Sequence, residues 1–272
     1  MRNFFLVVGL AGILITCNLN VTRAEESMEF DGLITPFRLV QVGSAVQGLI
    51  ESVHVERGDM VTKDQLLAKL QSGVEEAAVA LARARIKMEA VIRAKREALE
   101  FAKRRLDRNK DLFLHNSIPN NQWDEIETER ILAEHELAEA MENKELARLE
   151  LRGAIEVVER MKIRSPINGV VVERFLNPAE YVENQPILKL AQIHPLKVEV
   201  ILPVEMLGTV KAGMRAVVKP EAPVNGSYDA TVKVVDKVLD AASSTFGVRL
   251  ELPNPDYQLL PGLKCKVIFL GP

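Results

Sequence analysis

Aromatic residues are scarce: one Trp, three Tyr and nine Phe in 272 residues. That scarcity argues against an aromatic-lined ligand pocket. Charge of one sign is also missing, since the formal net charge is −3 and the pI about 5.9. No nucleic-acid or anionic-membrane partner is implied. The four histidines, His54, His115, His135 and His194, are scattered with no ligand spacing such as His-Glu-x-x-His. No Gly-rich phosphate loop and no Gly-x-Ser-x-Gly occurs. Nothing here supports an enzyme, a metal site or a cofactor. His115 and His135 fall on opposite predicted helices and are placed to approach, but without a third ligand they make no metal site.

The first stretch reads as a targeting segment, residues 1–24. Arg2 supplies the positive start, Phe4 to Thr16 the apolar run, and Thr22-Arg23-Ala24 a cleavage site before Glu25. The run is short for crossing a bilayer. Cys17 follows Leu14-Ile15-Thr16, a lipoprotein-like pattern with a poor residue before the cysteine. Cys17 is thus a candidate lipidation site, secondary to simple secretion, with a retained anchor third. Each outcome places the mature chain in the periplasm, free or attached to the inner membrane. After cleavage Cys265 stands alone, without an intramolecular partner, and reads as a small strand residue.

What the sequence does hold is one motif written twice. The first copy runs from Ala45 through Gly48, Gly58, Asp59 and Val61 to Leu70. The second runs from Pro166 through Gly169, Ala179, Glu180 and Val182 to Leu190, at one offset that slips by a residue near the end. Each copy alternates apolar residues between turn formers and reads as short strands. Two such units bury their faces against one another. The stretch from Glu25 to Thr35 is polar and expected to be loosely ordered, with a strand from Phe37 leading into the first copy.

Between the copies lie roughly ninety residues of helical composition. Val74 to Leu114 holds no Pro or Gly and predicts one helix. Apolar columns recur every seven residues, one through Val74, Leu81, Met88 and Ala102 with a lapse at Lys95, the other through Ala78, Ile92, Leu99, Leu106 and Phe113 with a lapse at Arg85. Asn116 to Asn121 breaks the helix. A second helix to about Val158 carries Ile126, Ala133, Ala140, Ala147 and Ala154 in one column, and Leu137, Leu151 and Val158 with Arg130 and Lys144 in the other. Two helices joined by a short break pack antiparallel, and forty residues reach about 60 Å. After the second copy, Pro195 to Pro203 reads as a strand and Val204 to Met214 as a short helix. Strands at 216–219, 230–239, 246–252 and 263–270 complete a small β-barrel.

The expected fold is α+β, elongated and multi-domain. It comprises a split biotinyl/lipoyl-like β-sandwich (37–72 and 163–192), a long antiparallel α-helical coiled-coil hairpin (73–160) and a β-barrel domain (195–270). Three stretches carry a resemblance: Val53 to Val61, with its Val-x-Val-x-x-Gly-Asp-x-Val core; Ile163 to Val171; and Thr245 to Pro255 with Leu260 to Leu263. Together they resemble the HlyD-type membrane fusion proteins, the periplasmic adaptors of tripartite efflux pumps. The resemblance implies a non-catalytic adaptor, assembling side by side into a tube. Its partners would be an inner-membrane transporter, most readily of the resistance–nodulation–division (RND) type, and an outer-membrane TolC-type channel. It also implies a channel-contacting hairpin tip with the pattern Arg-x3-Leu-x6-Ser, which Arg108 and Leu112 fit while Pro119 stands at the serine position. Trp123 either caps the tip seam or faces the channel. Many such adaptors carry a further membrane-proximal domain; this sequence ends at Pro272, so that domain is absent or the barrel and sandwich meet the transporter.

Three other readings stand beside this one. An ABC-type exporter or type I secretion adaptor has the same architecture. A free-standing periplasmic scaffold or binding protein is a different class. A biotinyl carrier is suggested by Arg160-Met161-Lys162-Ile163, but Lys162 falls at a strand entry and not on an exposed hairpin.

Overall fold

The computed structural model describes residues 28–270. The two motif copies exchange short strands between two sheets. In the first copy, β2 (Gly48–Val53), β3 (Met60–Val61) and β4 (Leu66–Leu70) follow β1 (Glu29–Val42). In the second, β5 (Lys162–Arg164), β6 (Gly169–Arg174) and β7 (Tyr181–Val182) lead into β8 (Leu188–Pro203). One sheet runs β5-β4-β2-β7, and the other ends in β8-β6-β3. No copy pairs only with itself. Gly48 lies opposite Val182, and its counterpart Gly169 lies opposite Val61. Ile50 N–H donates to the Glu180 carbonyl, and Val171 N–H donates to the Asp59 carbonyl. Ala179 N–H donates back to Ile50, as Gly58 N–H does to Val171.

This two-fold correspondence extends to the turns. Asp59 accepts from Glu56 N–H at 2.8 Å, and Glu180 accepts from Asn177 N–H at 3.0 Å. Both turns need a left-handed residue, Gly58 at φ 97° and Ala179 at φ 68°. Ser44 Oγ donates to the Val46 carbonyl, and Ser165 Oγ does the same to Ile167. Between the copies lies a core of Val42, Ile50, Leu67, Leu70, Ile187 and Leu190, with others.

The second core fills a barrel. Strands β9 (Arg215–Pro220), β10 (Tyr228–Val235), β11 (Thr245–Leu252) and β12 (Lys264–Phe269) join β1 and β8 in the order β1-β12-β9-β10-β11-β8. Pairing of β1 with β8 closes the ring, which removes the sheet edges. Two expectations fail here. The stretch ending at Thr35 is not loose: Glu29–Leu33 pair with Ile268–Lys264, and Ile34 is fully buried among the barrel side chains. Its polar residues face out, where Asp31 meets Lys266 and Glu29 meets Lys219, so alternation and not average polarity decides its fate. Val204 to Met214 is a single 3-10 turn, Val204–Met206, followed by turns at the positive-φ residues Gly208 and Gly213. Eleven residues with two such glycines serve to bury Val210 beneath the barrel end, not to extend a helix.

Strands β1 and β8 run through both units, so barrel and sandwich share a continuous pair of strands. The waist is tied by Asn254, a buried side chain. It donates to the Ile193 and Leu259 carbonyls and accepts from Leu259 N–H.

Gly169 is the tightest point of the sandwich. A Cβ there would lie 2.1 Å from the Ala191 carbonyl oxygen, which is backbone and cannot move aside. At its counterpart Gly48 the nearest atom is Leu70 Cδ1 at 3.3 Å, the end of a flexible side chain. Gly169→Ala is therefore expected to cost about 1–3 kcal/mol or more in chemical denaturation, and Gly48→Ala about 1 kcal/mol or less. Equal losses at the two positions would contradict the close approach of β6 to β8.

Candidate functional site

The helices leave the sandwich from two paired strands. β4 runs into α1 (Gly73–Ile86), α3 (Asn120–Arg160) runs back into β5, and Lys69 lies opposite Lys162. Leu70 N–H donates to the Met161 carbonyl at 2.9 Å, so the two arms start side by side. Adjacent strands lie about 4.8 Å apart, close enough to deliver helices into direct packing. A polar cluster seals the exit: Lys69 Nζ lies 3.0 Å from Glu51 and 3.2 Å from Glu76, and Ser72 Oγ donates to Glu76 at 2.7 Å. The Ser72 hydroxyl and then Lys69 hold Glu76 below its ordinary range, while Glu51 and Glu76 raise Lys69.

The first arm is not one helix. α1 ends at Ile86 and α2 (Ala90–Leu114) resumes after three residues. Across the break, Lys87 and Met88 N–H groups donate three residues back, to Ala84 and Arg85. Such bonds wind about 120° per residue against 100° in an α-helix. The inward face of α1 is shifted by one position from the expected columns, to Glu75, Val79, Ala82 and Ile86. The expected column through Val74, Leu81 and Met88 lies outside instead, 81%, 59% and 71% exposed. Past the break the expected positions recover, with Ile92, Leu99, Ala102, Leu106 and Phe113 facing in. Both columns of α3 face in along their length, including Arg130 and Lys144.

Cross-arm ion pairs fix an antiparallel register. From base to tip they are Arg85 with Glu150, Glu89 with Lys144, Lys95 with Glu136, and Arg105 with Glu129. Lys144 donates to Glu89 at 2.5 Å and holds that carboxyl below its ordinary range. This register separates His115 from His135 by roughly 30 Å along the arms, so the two do not approach. His115 instead sits at the end of α2, with Nδ1 2.6 Å from the Asp111 carbonyl.

At the tip, Asn116 adopts φ 54°, Ser117 N–H donates to Leu112 at 2.7 Å, and Asn116 N–H donates to Phe113. This Schellman closure satisfies carbonyls that the helix end leaves open. Pro119 precedes α3 in an extended conformation, φ −65° and ψ 151°, suited to its ring. Phe113 and Trp123 stack at 4.6 Å, which puts Trp123 across the tip seam. Arg108 and Leu112 are both exposed, Leu112 by 46%, and Arg108 forms no ion pair among the described residues. Pro119 is exposed too. The three tip positions therefore cluster at one end of the arms. Cys17 lies outside the described residues.

Elsewhere the chemistry is quiet. Lys162 donates to Glu159 at 2.6 Å from within β5, unlike a carrier lysine on an open turn. Cys265 lies inside the barrel, opposite Gly32, and burial pushes its thiol up to about 11. Among the described residues no three metal-ligating side chains converge, and no helix is long and apolar enough to cross a membrane.

Comparison with known proteins adds a lineage to this geometry. Residues 38–192 match the family model described as a CzcB-like, barrel-sandwich hybrid domain, and residues 196–272 match a CusB-like β-barrel domain. The cobalt-zinc-cadmium resistance protein CzcB of Cupriavidus metallidurans is 24% identical over 253 residues, covering 92% of this chain and 46% of that protein. The pyoverdine export membrane fusion protein PvdR of Pseudomonas putida is 26% identical over 279 residues, covering 92% of this chain and 71% of the relative. The chain thus spans about half the length of CzcB. Among solved structures, MacA from Actinobacillus actinomycetemcomitans shares the fold with a TM-score of 0.73 at 22% identity, over 89% of this chain and 78% of that one.

Two measurements test the arms. Phe113→Ala is expected to shift the emission of the single tryptophan to the red, because Trp123 loses the ring that covers it; unchanged emission would place it elsewhere. Glu89 is depressed in the folded chain, so the stability it supplies exists above the ordinary glutamate range and is lost as pH falls through its folded value. Glu89→Gln should melt earlier than the unaltered chain near pH 7, and the gap should close below about pH 4. A gap independent of pH would remove the ion pair from the account.

Proposed function

Because this chain belongs to the membrane fusion proteins, with their CzcB-like barrel-sandwich hybrid and CusB-like β-barrel domains, we propose that it is a non-catalytic periplasmic adaptor joining an inner-membrane efflux transporter to an outer-membrane TolC-type channel. On this reading the units are a sandwich at 37–72 and 163–192, a coiled-coil hairpin at 73–160, and a barrel at 195–270. The barrel meets the transporter, taken to be of the RND type, and copies stand side by side to form a tube. One observation carries the reading. The last turns of α2 present Arg108 and the apolar Leu112 to solvent, next to a turn already closed by its own hydrogen bonds.

The end of α2 and the closed turn beside it hold these side chains' backbone in place before any partner arrives, so little ordering entropy is lost on contact. Leu112 then serves as an apolar knob and Arg108 as a polar contact, with Pro119 shaping the start of the return helix. The relatives' names mention cobalt, zinc and cadmium in one case and pyoverdine in another, which fits an adaptor whose transporter selects the substrate.

Leu112→Asp is expected to abolish most export-dependent resistance while folded protein stays at the level of the unaltered chain, and a photocrosslinker at position 112 should capture an outer-membrane channel in intact cells. Full resistance with Leu112→Asp, or no channel captured, would refute the tip assignment. Removing matched heptads from both arms should end transport with little change in melting temperature; retained transport would show that arm length is not used.

A further inference from the structure

Where barrel meets sandwich, the ladder between β1 and β8 lapses. Pro36 lies opposite Leu196 and Arg38 opposite Gln192, so Phe37 alone faces Ile193, His194 and Pro195. Such a bulge bends a strand pair and leaves main-chain groups to be satisfied elsewhere. Side chains and the segment between β11 and β12 supply the missing partners. Asn254 Nδ2 donates to the Ile193 carbonyl at 2.9 Å, and Gln192 Nε2 donates to the His194 carbonyl at 3.0 Å. Further along the same segment, Gly262 N–H donates to the Ile34 carbonyl at 2.7 Å, and Ile34 N–H donates to the Leu263 carbonyl at 2.9 Å. The segment therefore holds β8 at one point and β1 at another, and these are the two strands that barrel and sandwich share.

His194 adds a bond of a different kind. The Asn254 main-chain N–H donates to its Nδ1 at 3.0 Å. Accepting that bond takes a bare ring nitrogen, so the ring here is neutral with its proton on Nε2. A protonated ring carries hydrogen on both nitrogens and sets two donors face to face. The Asn254 side-chain amide does not titrate, whereas an imidazole changes charge between about pH 5 and 8. His194 is exposed, with the Tyr257 ring edge-on at 6.4 Å, so protons reach it from solvent. The charged groups on the surrounding elements are Arg38 on β1, Lys197 on β8, Glu251 on β11 and Asp256 on the segment itself. Arg38 and Lys197 lie over the Phe37 ring, and Glu251 pairs with Lys233. The sandwich strand β6 brings Gly169 and Val170 to this stretch, neither of them charged. Asp256, next to Tyr257, forms no ion pair among the described residues and favours a charged ring nearby.

We propose that His194 is a proton-controlled latch on the joint between barrel and sandwich. With the ring neutral, Asn254 is held through both its side chain and its main chain, and the joint is stiff. With the ring protonated, the main-chain bond is lost and the β1–β8 pair bends more easily at its bulge. The sign follows from the bond itself. Only the neutral ring accepts it, so the contact is present at high pH and is lost as the ring takes up its proton. The Asn254 side-chain bonds to Ile193 and Leu259 survive that change, so the joint loosens while both cores stay folded. The latch belongs to the joint and does not depend on what the arms contact.

The test reads the full chain at about pH 7.5 and about pH 5.5, on either side of an ordinary imidazole titration. Hydrogen exchange of the Asn254 amide, corrected for the intrinsic pH dependence of exchange, reports the bond. Spin labels at Lys63→Cys on the sandwich and Val234→Cys on β10, both exposed, report the joint through the spread of distances between them. Protection of the Asn254 amide is expected to fall about tenfold in acid, with a broader distance distribution. His194→Asn places a non-titrating oxygen near the Nδ1 position, so it should stay protected and narrow at both pH values. His194→Ala should be unprotected and broad at both, and Asp256→Asn should move the transition of the unaltered ring to lower pH. Equal protection and equal spread at the two pH values in the unaltered chain would overturn the latch. Acid loosening that persists in His194→Asn would overturn it by assigning the change to another group. Loss of protection without any broadening would show that the bond does not govern the joint, and would also overturn it.

Discussion

Ile50 and Val171 each donate a main-chain hydrogen bond into the other copy of the repeated motif, and the rest of the molecule depends on that exchange. Neither copy is complete by itself: β2 pairs with β4 and β6 with β8 inside a copy, but β3, β5 and β7 find their partners in the other copy. The exchange joins segments about a hundred residues apart in sequence, so the loop between them must be closed. Loop-closure cost grows only with the logarithm of length, about 0.6 kcal/mol per doubling, so a long insert is tolerated. Since β4 and β5 are paired where the insert leaves and returns, the insert has its ends fixed side by side. A long helical insert held in this way forms an antiparallel pair of arms.

The arms have little to hold them. Fully buried side chains along them are few, and much of the α3 seam is alanine, which allows close approach but buries little area. Ion pairs at the rim add register more than stability, since exposed pairs contribute about 0–1 kcal/mol each. The arms thus behave as a rod fixed firmly at the base and closed at the tip, where Phe113 stacks on Trp123. That distribution fixes the arms at both ends and leaves their flanks to solvent. The barrel, by contrast, is a closed ring with a continuous apolar interior, joined to the sandwich through the shared strands β1 and β8.

The repeat, the two helical arms, the turn at Asn116 to Asn121 and most barrel strands were legible from residue order, because each depends on local periodicity. The seam of α3 was legible for the same reason: Ile126 and Ala133 through Ala154 keep one phase over an unbroken helix. The first arm misled because heptad counting assumes one unbroken helix, and the chain leaves the helix between Ile86 and Ala90. No glycine or proline marks that break. The approach of His115 to His135 failed because it needed the inter-arm register, which composition does not carry. Trp123 was placed near the tip by sequence, but only its contact with Phe113 chose between its two roles.

By itself the sequence determined what recurs along the chain: two matching β units, a helical insert, a run of barrel strands and the residues at the turn. These are set by side-chain period and turn chemistry over a few residues. Tertiary structure alone decided that Glu29 to Leu33 closes the barrel, that Val74, Leu81 and Met88 point outward, and that the register of the arms keeps His115 far from His135. The physical reason is common to all three. Strand partners, helix phase and inter-arm register are relations between segments distant in sequence, fixed by which hydrogen bonds and packed faces are made at once, and no local pattern encodes them.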